Sequence, residues 1–192
     1  MPRLFVALRP PGVIREALFD LQDGVPDARW QDDEQLHLTL RFVGEVERPQ
    51  AEDLAACLAQ VRAPDPVSML SGVGRFGRRG KTDTLWAGVA PREPLMHLHR
   101  KVDQACVRAG LLPEGRAFTP HITVARLSRS AGGAADIERW LVRHASLTSA
   151  VFKYGHLVLY QSFLERTGAV YEPVARWPLE PPAPETGSLG RT

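Results

Sequence analysis

The sequence predicts a single mixed α/β domain built from two similar halves. A chain of 192 residues has the size of one ordinary domain or of two small lobes that share a core. Short β-branched runs, typical of strands, alternate with longer stretches in which apolar residues recur at helical spacing. An order of strand, helix, histidine-led strand and helix also occurs twice. These three observations indicate an α+β fold with two lobes and exclude a large multidomain protein.

Two strands and two helices are predicted in the first half. The strands are runs of leucine, β-branched and aromatic residues, and each helix begins near a proline and ends at glycine or proline. In order, the elements are the strand Leu4–Leu8, the helix Gly12–Asp23, the strand Leu36–Val43 after a short stretch around Trp30, and a helix from Pro49 that ends before Pro64.

The second half is predicted to add five strands and two helices. In order, they are the strands Val67–Phe76 and Thr84–Val89, the helix Glu93–Ala109, the strand His121–Leu127, the helix Ala134–His144 and a hairpin of Ala150–Leu164 with Ala169–Trp177, turning at Thr167-Gly168. Beyond Leu179 the chain is rich in proline and glycine. We therefore expect one domain over residues 1–179 and a disordered tail over 180–192.

The charges are unevenly distributed along the chain. Residues 16–53 have a net charge of −8, whereas residues 75–129 contain eleven basic and four acidic residues, a net charge of +7. Arginines number 21 and lysines three, and the guanidinium group suits phosphate and carboxylate ligands. The basic segment favours an anionic partner such as a nucleotide or an RNA backbone. The alternatives are codon usage for the arginine count and an ordinary solvated surface for the charge run.

The two cysteines and the short N-terminal apolar run bear on the cellular compartment. Two cysteines are too few for a disulfide framework or a thiolate zinc site. The run Leu4–Leu8 is too short for a signal-peptide core or a membrane span. We expect a cytoplasmic protein in a reducing environment, with no membrane partner.

Two tetrapeptides of the form His-apolar-Thr-apolar are the central feature of the sequence: His37-Leu38-Thr39-Leu40 and His121-Ile122-Thr123-Val124. In a strand, the histidine and the threonine of each tetrapeptide share one face, and the two apolar residues share the other. Random placement of six histidines and nine threonines predicts only about 0.3 His-x-Thr pairs in the chain. Two such pairs with matching apolar positions favour a function over a packing role at strand starts.

The residue types in these motifs suit acid–base chemistry on a phosphate. Two imidazoles that face one cleft can work as a base and an acid near neutral pH. Threonine hydroxyls can donate to phosphate oxygens, and a guanidinium can stabilise the charge of the transition state. Arg41 and Arg126 follow the two threonines, although strict alternation brings Arg126 to the threonine face only through a bulge or the strand end. The motifs lack a carboxylate or a third metal ligand, which makes a metal hydrolase the less favoured alternative.

The paired motifs resemble the 2H phosphoesterase superfamily, and in particular its bacterial and archaeal RNA 2′,3′-cyclic phosphodiesterases, historically called 2′-5′ RNA ligases. The resemblance covers residues 3–179 and includes both complete motifs. The residues that carry it are Arg3–Ala7, His37–Gly44, Leu85-Trp86, Phe118–Arg126, Gly168–Tyr171 and Trp177-Pro178-Leu179.

This resemblance implies a bilobal, pseudo-twofold α/β fold in which two antiparallel sheets line a central cleft, with the helices outside. It implies hydrolysis of RNA or nucleotide 2′,3′-cyclic phosphate ends to 2′-phosphates, without a metal or another cofactor. By the same resemblance, His37 is the proton donor, His121 is the proton acceptor, and Thr39, Thr123 and Arg126 bind phosphate. The residues alone leave the order of the two histidines open. The alternatives are 2′-5′ ligation of tRNA halves and a non-catalytic module that binds RNA ends.

Two features outside the motifs suit an RNA ligand. Phe118 lies shortly before His121 and is the better candidate for base stacking, ahead of Phe76. The basic loop Arg75–Lys81 is predicted either to guide an RNA backbone or to be a solvated hairpin tip. We expect a monomer, and we interpret the other four histidines as surface or packing residues: His97, His99, His144 and His156.

Overall fold

The computed structural model describes residues 1–78, 80–128, 131–165 and 168–180. These residues form eight strands and four α-helices. The strands are β1 (Arg3–Leu8), β2 (Arg29–Trp30), β3 (Leu38–Glu45), β4 (Met69–Arg78), β5 (Lys81–Ala90), β6 (His121–Arg126), β7 (His156–Glu165) and β8 (Gly168–Pro178). The helices are α1 (Gly12–Phe19), α2 (Arg48–Leu58), α3 (Arg92–Arg108) and α4 (Ala134–His144).

The strands form an antiparallel sheet with the order β4-β5-β6-β3-β1-β7-β8, and β2 pairs with β6. The sheet has two four-stranded halves, one formed by β2, β4, β5 and β6 and the other by β1, β3, β7 and β8. A single residue pair, Leu38 with Ile122, joins the halves between β3 and β6. The two antiparallel sheets expected from the resemblance are therefore the two halves of this sheet, and the predicted fold class is confirmed.

The main core lies between the sheet and the helices. Alternate residues of β1 point into it, and each helix contributes the apolar stripe that its spacing predicted. Its fully buried side chains include Leu8, Leu18, Leu54, Leu98, Ile122 and Trp140. All four helices pack on the same core, so the opposite face of the sheet stays open for a cleft.

Two predicted elements end or begin elsewhere than expected. Helix α1 stops at Phe19 rather than at Asp23, because tight hydrogen bonds from the N–H groups of Leu21 and Gln22 close its last turn. Strand β7 begins at His156 rather than at Ala150, because the buried Asp65 carboxylate accepts hydrogen bonds from the N–H groups of Tyr154 and Gly155.

The hairpin of β4 and β5 is longer than predicted, since its strands extend to Arg78 and from Lys81. Most of the expected basic loop is therefore strand. Glu180, where the expected tail begins, forms a parallel bridge with Pro64. Residues 181–192 and Thr167 of the predicted turn lie outside the described residues, whereas Gly168 begins β8.

Candidate active site

The pair that joins the two halves of the sheet also brings the two histidine motifs together. Leu38 and Ile122 are the second residues of their tetrapeptides. Because β3 and β6 are antiparallel around this pair, His37 lies beside Thr123 and His121 lies beside Thr39. The two histidines and the two threonines line one cavity of about 560 Å³.

Alternation along the strands orients these side chains. The apolar motif residues are at most 3% exposed and belong to the core on the helical side: Leu38, Leu40, Ile122 and Val124. Burial of these four residues fixes the register, since a shift by one residue would turn the histidines into the core. The polar side chains consequently face the cleft.

Both motif strands contain a bulge one residue after the threonine. The register against β1 skips Leu40, and the register against β5 skips Val124. Each bulge resets the alternation, so the fifth residue after each histidine turns to the cavity. That residue is Phe42 in the first lobe and Arg126 in the second, and both line the cavity. The bulge that Arg126 requires is therefore present.

Arg41 does not reach the cavity as a free cation. Its guanidinium contacts Asp103 of α3 at 2.9 Å and Glu114 at 3.0 Å, and it also donates to the carbonyls of Phe42 and Leu112. The Arg41 side chain is only 10% exposed. Arg41 therefore ties β3 to α3 and to the segment before β6, and of the two arginines that follow the motifs only Arg126 is available to a ligand.

Each motif histidine is held by the carbonyl two residues before it. Nδ1 of His121 lies 2.6 Å from the carbonyl oxygen of Thr119, and the ring of His37 forms a hydrogen bond with the backbone of Gln35. Since a carbonyl oxygen only accepts, Nδ1 of His121 carries the proton and donates. In the neutral ring, Nε2 of His121 is then left as a proton acceptor.

His37 lies in an aromatic environment. Its ring centroid is 4.9 Å from Phe5, 6.0 Å from Tyr160 and 5.1 Å from the edge-on Tyr171. The pKa of His37 is lowered to about 4: burial is the largest cause, the nearby charge of Arg126 adds to the shift, and the hydrogen bond to the backbone of Gln35 opposes it. His37 is consequently neutral at pH 7 in the free protein.

His121 lies against the second lobe. Phe76 contacts its ring edge-on at 4.8 Å between centroids, and Trp86 lies at 5.9 Å. Burial lowers the pKa of His121, the hydrogen bond to Thr119 opposes that shift, and the charge of Arg126 adds to it. The charge of Arg126 thus lowers the pKa of both imidazoles.

Phe118 lines the same cavity and is stacked on His99 of α3. Their ring centroids are 4.3 Å apart and their planes differ by only 4°. Nδ1 of His99 in turn lies 2.8 Å from the carbonyl oxygen of Leu40 in the first motif. One face of Phe118 is therefore covered, and the packing role predicted for His99 is correct. Sequence reasoning missed its place in the cavity wall, because no motif marks it.

The described residues contain neither a helix with the length and hydropathy of a membrane span nor a group of three or more His, Cys, Asp or Glu side chains arranged to hold a metal ion.

Comparison with known proteins identifies the family. A profile of the 2′-5′ RNA ligase superfamily matches residues 11–162. The RNA 2′,3′-cyclic phosphodiesterase of Geobacillus stearothermophilus is 35% identical over 162 residues, which cover 83% of this chain and 50% of that protein. The RNA 2′,3′-cyclic phosphodiesterase of Aeropyrum pernix is 31% identical over 150 residues, covering 78% of this chain and 84% of that protein. The chain thus spans half the length of the first relative and most of the second.

Among solved structures, Escherichia coli LigT complexed with 3′-AMP superimposes with a TM-score of 0.71 at 26% identity, covering 93% of this chain and 99% of LigT. The likeness extends over both lobes and is not confined to the motif strands. With the family profile matching most of its length, this chain belongs to the 2′-5′ RNA ligase superfamily, the group of 2H phosphoesterases that its two motifs resemble.

Proposed function

We propose that this protein opens 2′,3′-cyclic phosphate ends of RNA or nucleotides and leaves a 2′-phosphate. The observation that carries the proposal is the convergence of two His-x-Thr motifs on one cavity across the Leu38–Ile122 pair. The names of the relatives, RNA 2′,3′-cyclic phosphodiesterases, and the 3′-AMP complex of LigT support it. We also propose that the protein acts as a monomer.

In the proposed reaction, water attacks phosphorus in line with the ribose 3′ oxygen. His121 accepts the proton of the water through Nε2, the nitrogen that its Thr119 hydrogen bond leaves free. The bond between phosphorus and the 3′ oxygen breaks, and His37 donates a proton to that oxygen. This order follows the resemblance of the motifs to the family. The products are a 3′ hydroxyl and a 2′-phosphate.

We propose that Thr39, Thr123 and Arg126 bind the non-bridging phosphate oxygens. Within the described residues, neither threonine hydroxyl forms a hydrogen bond with the protein and Arg126 has no salt bridge, so their donors are available. Donors that are already oriented stabilise the charge of the transition state without reorganising.

As a proton donor, His37 must gain its proton together with the substrate. Its pKa of about 4 leaves it neutral in the free protein at pH 7, and the negative charge of a bound phosphate raises that pKa. Substrate binding thus protonates His37, the general acid, whereas both imidazoles are neutral when the cavity is empty.

Sulfate binding is expected to tighten as the pH falls from 7 towards 4. Between the free and the bound pKa of His37, binding takes up a proton, so the affinity rises as the pH falls and levels off below the free value of about 4. Sulfate stays a dianion over this range and adds no titration of its own. Calorimetry measures the affinity, and NMR measures the pKa of His37 with and without sulfate. A pH-independent affinity with an unshifted His37 would contradict this role.

Phe118 is proposed to stack on the nucleobase with the face that His99 leaves open. Phe118→Ala is expected to raise KM for 2′,3′-cyclic AMP about tenfold with little change in kcat, because stacking contributes to binding and not to the reacting bonds. A base-free ribose 2′,3′-cyclic phosphate serves as the control, and its kinetics should not change. Equal losses on both substrates would contradict base stacking.

The function is tested by incubating the protein with 2′,3′-cyclic AMP in the presence of a chelator and separating the products by chromatography. We expect 2′-AMP alone, at a rate that the chelator does not change. The formation of 3′-AMP, or activity that is lost with chelator and restored by metal, would overturn the mechanism. Binding without turnover would indicate a module that binds RNA ends, and joined products from tRNA halves would indicate ligation.

A further inference from the structure

A row of residues leads from the second motif to the tip of the β4–β5 hairpin. In register, Thr123 lies opposite Trp86 and Arg126 lies opposite Thr84. Thr84 in turn lies opposite Phe76, and Arg78 is two residues closer to the tip than Phe76. Phe76 and Arg78 both line the cavity, so this row forms one side of the cleft.

Arg75 and Arg78 of the hairpin lie on different sides of the sheet. Arg75 forms a salt bridge of 2.7 Å with Glu138 of α4, which attaches the hairpin to the helical side. Arg78 faces the cavity and, among the described residues, has no salt-bridge partner. Its charge is therefore available to a ligand in the cleft, whereas the charge of Arg75 is neutralised.

The opposite side of the cavity is electrically balanced. Arg116 is paired with Glu114 at 3.1 Å, and the same carboxylate also contacts Arg41. Asp83 also lines the cavity; its carboxylate accepts a hydrogen bond from the hydroxyl of Thr84 and, among the described residues, has no salt-bridge partner. The unpaired positive charge of the described cavity lining is thus concentrated at Arg126 and Arg78, and both belong to the second lobe.

The spacing of these two arginines fits more than one phosphate. Neighbouring strands lie about 4.8 Å apart, so Arg126 on β6 and Phe76 on β4 are separated by about 10 Å, and Arg78 lies about 7 Å further along the strand. The backbones at Arg126 and Arg78 are therefore about 12 Å apart, which is within the combined reach of two extended arginine side chains. At this separation the two guanidinium groups can converge on one phosphate or contact two successive phosphates of a nucleic-acid strand.

From this arrangement we infer that Arg78 binds the phosphodiester on the 5′ side of the terminal nucleotide, while Arg126 binds the cyclic phosphate. This inference rests on the proposed function and specifies its substrate class: single-stranded RNA ends with at least one internucleotide phosphate, in preference to free cyclic nucleotides. The RNA strand leaves the motifs along the hairpin and not past Glu114.

The test compares two substrates, 2′,3′-cyclic AMP and a short RNA oligonucleotide that ends in the same cyclic nucleotide. We expect the wild-type protein to favour the oligonucleotide in kcat/KM. Arg78→Ala should lower kcat/KM about tenfold for the oligonucleotide, the loss of one charge-assisted contact, and leave the mononucleotide unchanged. The slope of log(kcat/KM) against log salt should also become shallower by about 0.7, for the oligonucleotide only.

Arg48→Ala is the matched control, because it removes the same charge from an arginine on α2 whose side chain is 89% exposed and outside the cavity. It should change neither substrate's kinetics. Equal effects of Arg78→Ala on both substrates, or no effect on either, would overturn the assignment of Arg78 while leaving hydrolysis intact. If the wild-type protein opened neither substrate, the proposed function itself would fail.

Discussion

Alanine in place of either motif histidine is expected to lower kcat for 2′,3′-cyclic AMP at least about a hundredfold. A positioned general acid or base contributes about 10²- to 10⁴-fold, and in the proposed mechanism both imidazoles serve the same displacement. Neither ring can replace the other, because His37 and His121 are held from opposite strands by their own carbonyls. Steady-state kinetics of His37→Ala and His121→Ala at pH 7 measure the effect.

The matched control is His97→Ala, which removes an exposed imidazole of α3. It should retain wild-type kinetics. The wild-type protein should show a bell-shaped pH dependence of kcat, and each motif variant should lose one limb of it. Wild-type activity in either motif variant would refute the mechanism with two histidines.

Arg126→Ala is expected to lower kcat about 10²- to 10³-fold without changing the stability of the fold. The guanidinium is exposed, lines the cavity, and has no salt bridge within the described residues. In the proposed mechanism, its removal takes away a donor to the developing charge, and it leaves no buried partner behind. Kinetics and urea unfolding of the same preparation measure the two effects.

Arg41→Ala provides the contrasting variant, since Arg41 follows the first motif much as Arg126 follows the second. It leaves Asp103 and Glu114 without their shared cation at a site where the Arg41 side chain is 10% exposed. We expect a loss of about 3–5 kcal/mol in the free energy of unfolding, with kcat largely retained in the protein that stays folded. A loss of stability in Arg126→Ala, or a specific loss of kcat in Arg41→Ala, would contradict the separate roles.

The positions of the strands and of the motif side chains could be predicted because each rests on local periodicity. Alternation with buried leucine, isoleucine and valine places His37, Thr39, His121 and Thr123 on one face, and the structure brings all four into one cavity. Helix α1 was predicted four residues too long, because the apolar Leu21 continues the helical stripe while its backbone already turns away. The chemical roles of these residues remain predictions.

Long-range contacts explain what the sequence did not reveal. Phe42 and Arg126 occupy equivalent positions through matching bulges, and a bulge depends on the register against the neighbouring strand. His99 reaches the cavity wall only because α3 packs behind β3, so no local pattern marks it. The aromatic residues around His37 come from β1 and from the hairpin of β7 and β8, which are far apart in the chain.

By itself, the sequence determined the fold class, the family resemblance and the chemistry available to the cleft, since these depend on residue types and on the period of a strand. Only the tertiary structure shows which of the two arginines next to the motifs is paired and which one faces the cavity. Arg41 and Arg126 look alike as neighbours of a His-x-Thr motif, but Arg41 is neutralised by carboxylates from α3 and the following segment, while the bulge at Val124 turns Arg126 into the cavity. Whether a charge is free or paired depends on partners distant in the chain, and only the folded structure brings those partners together.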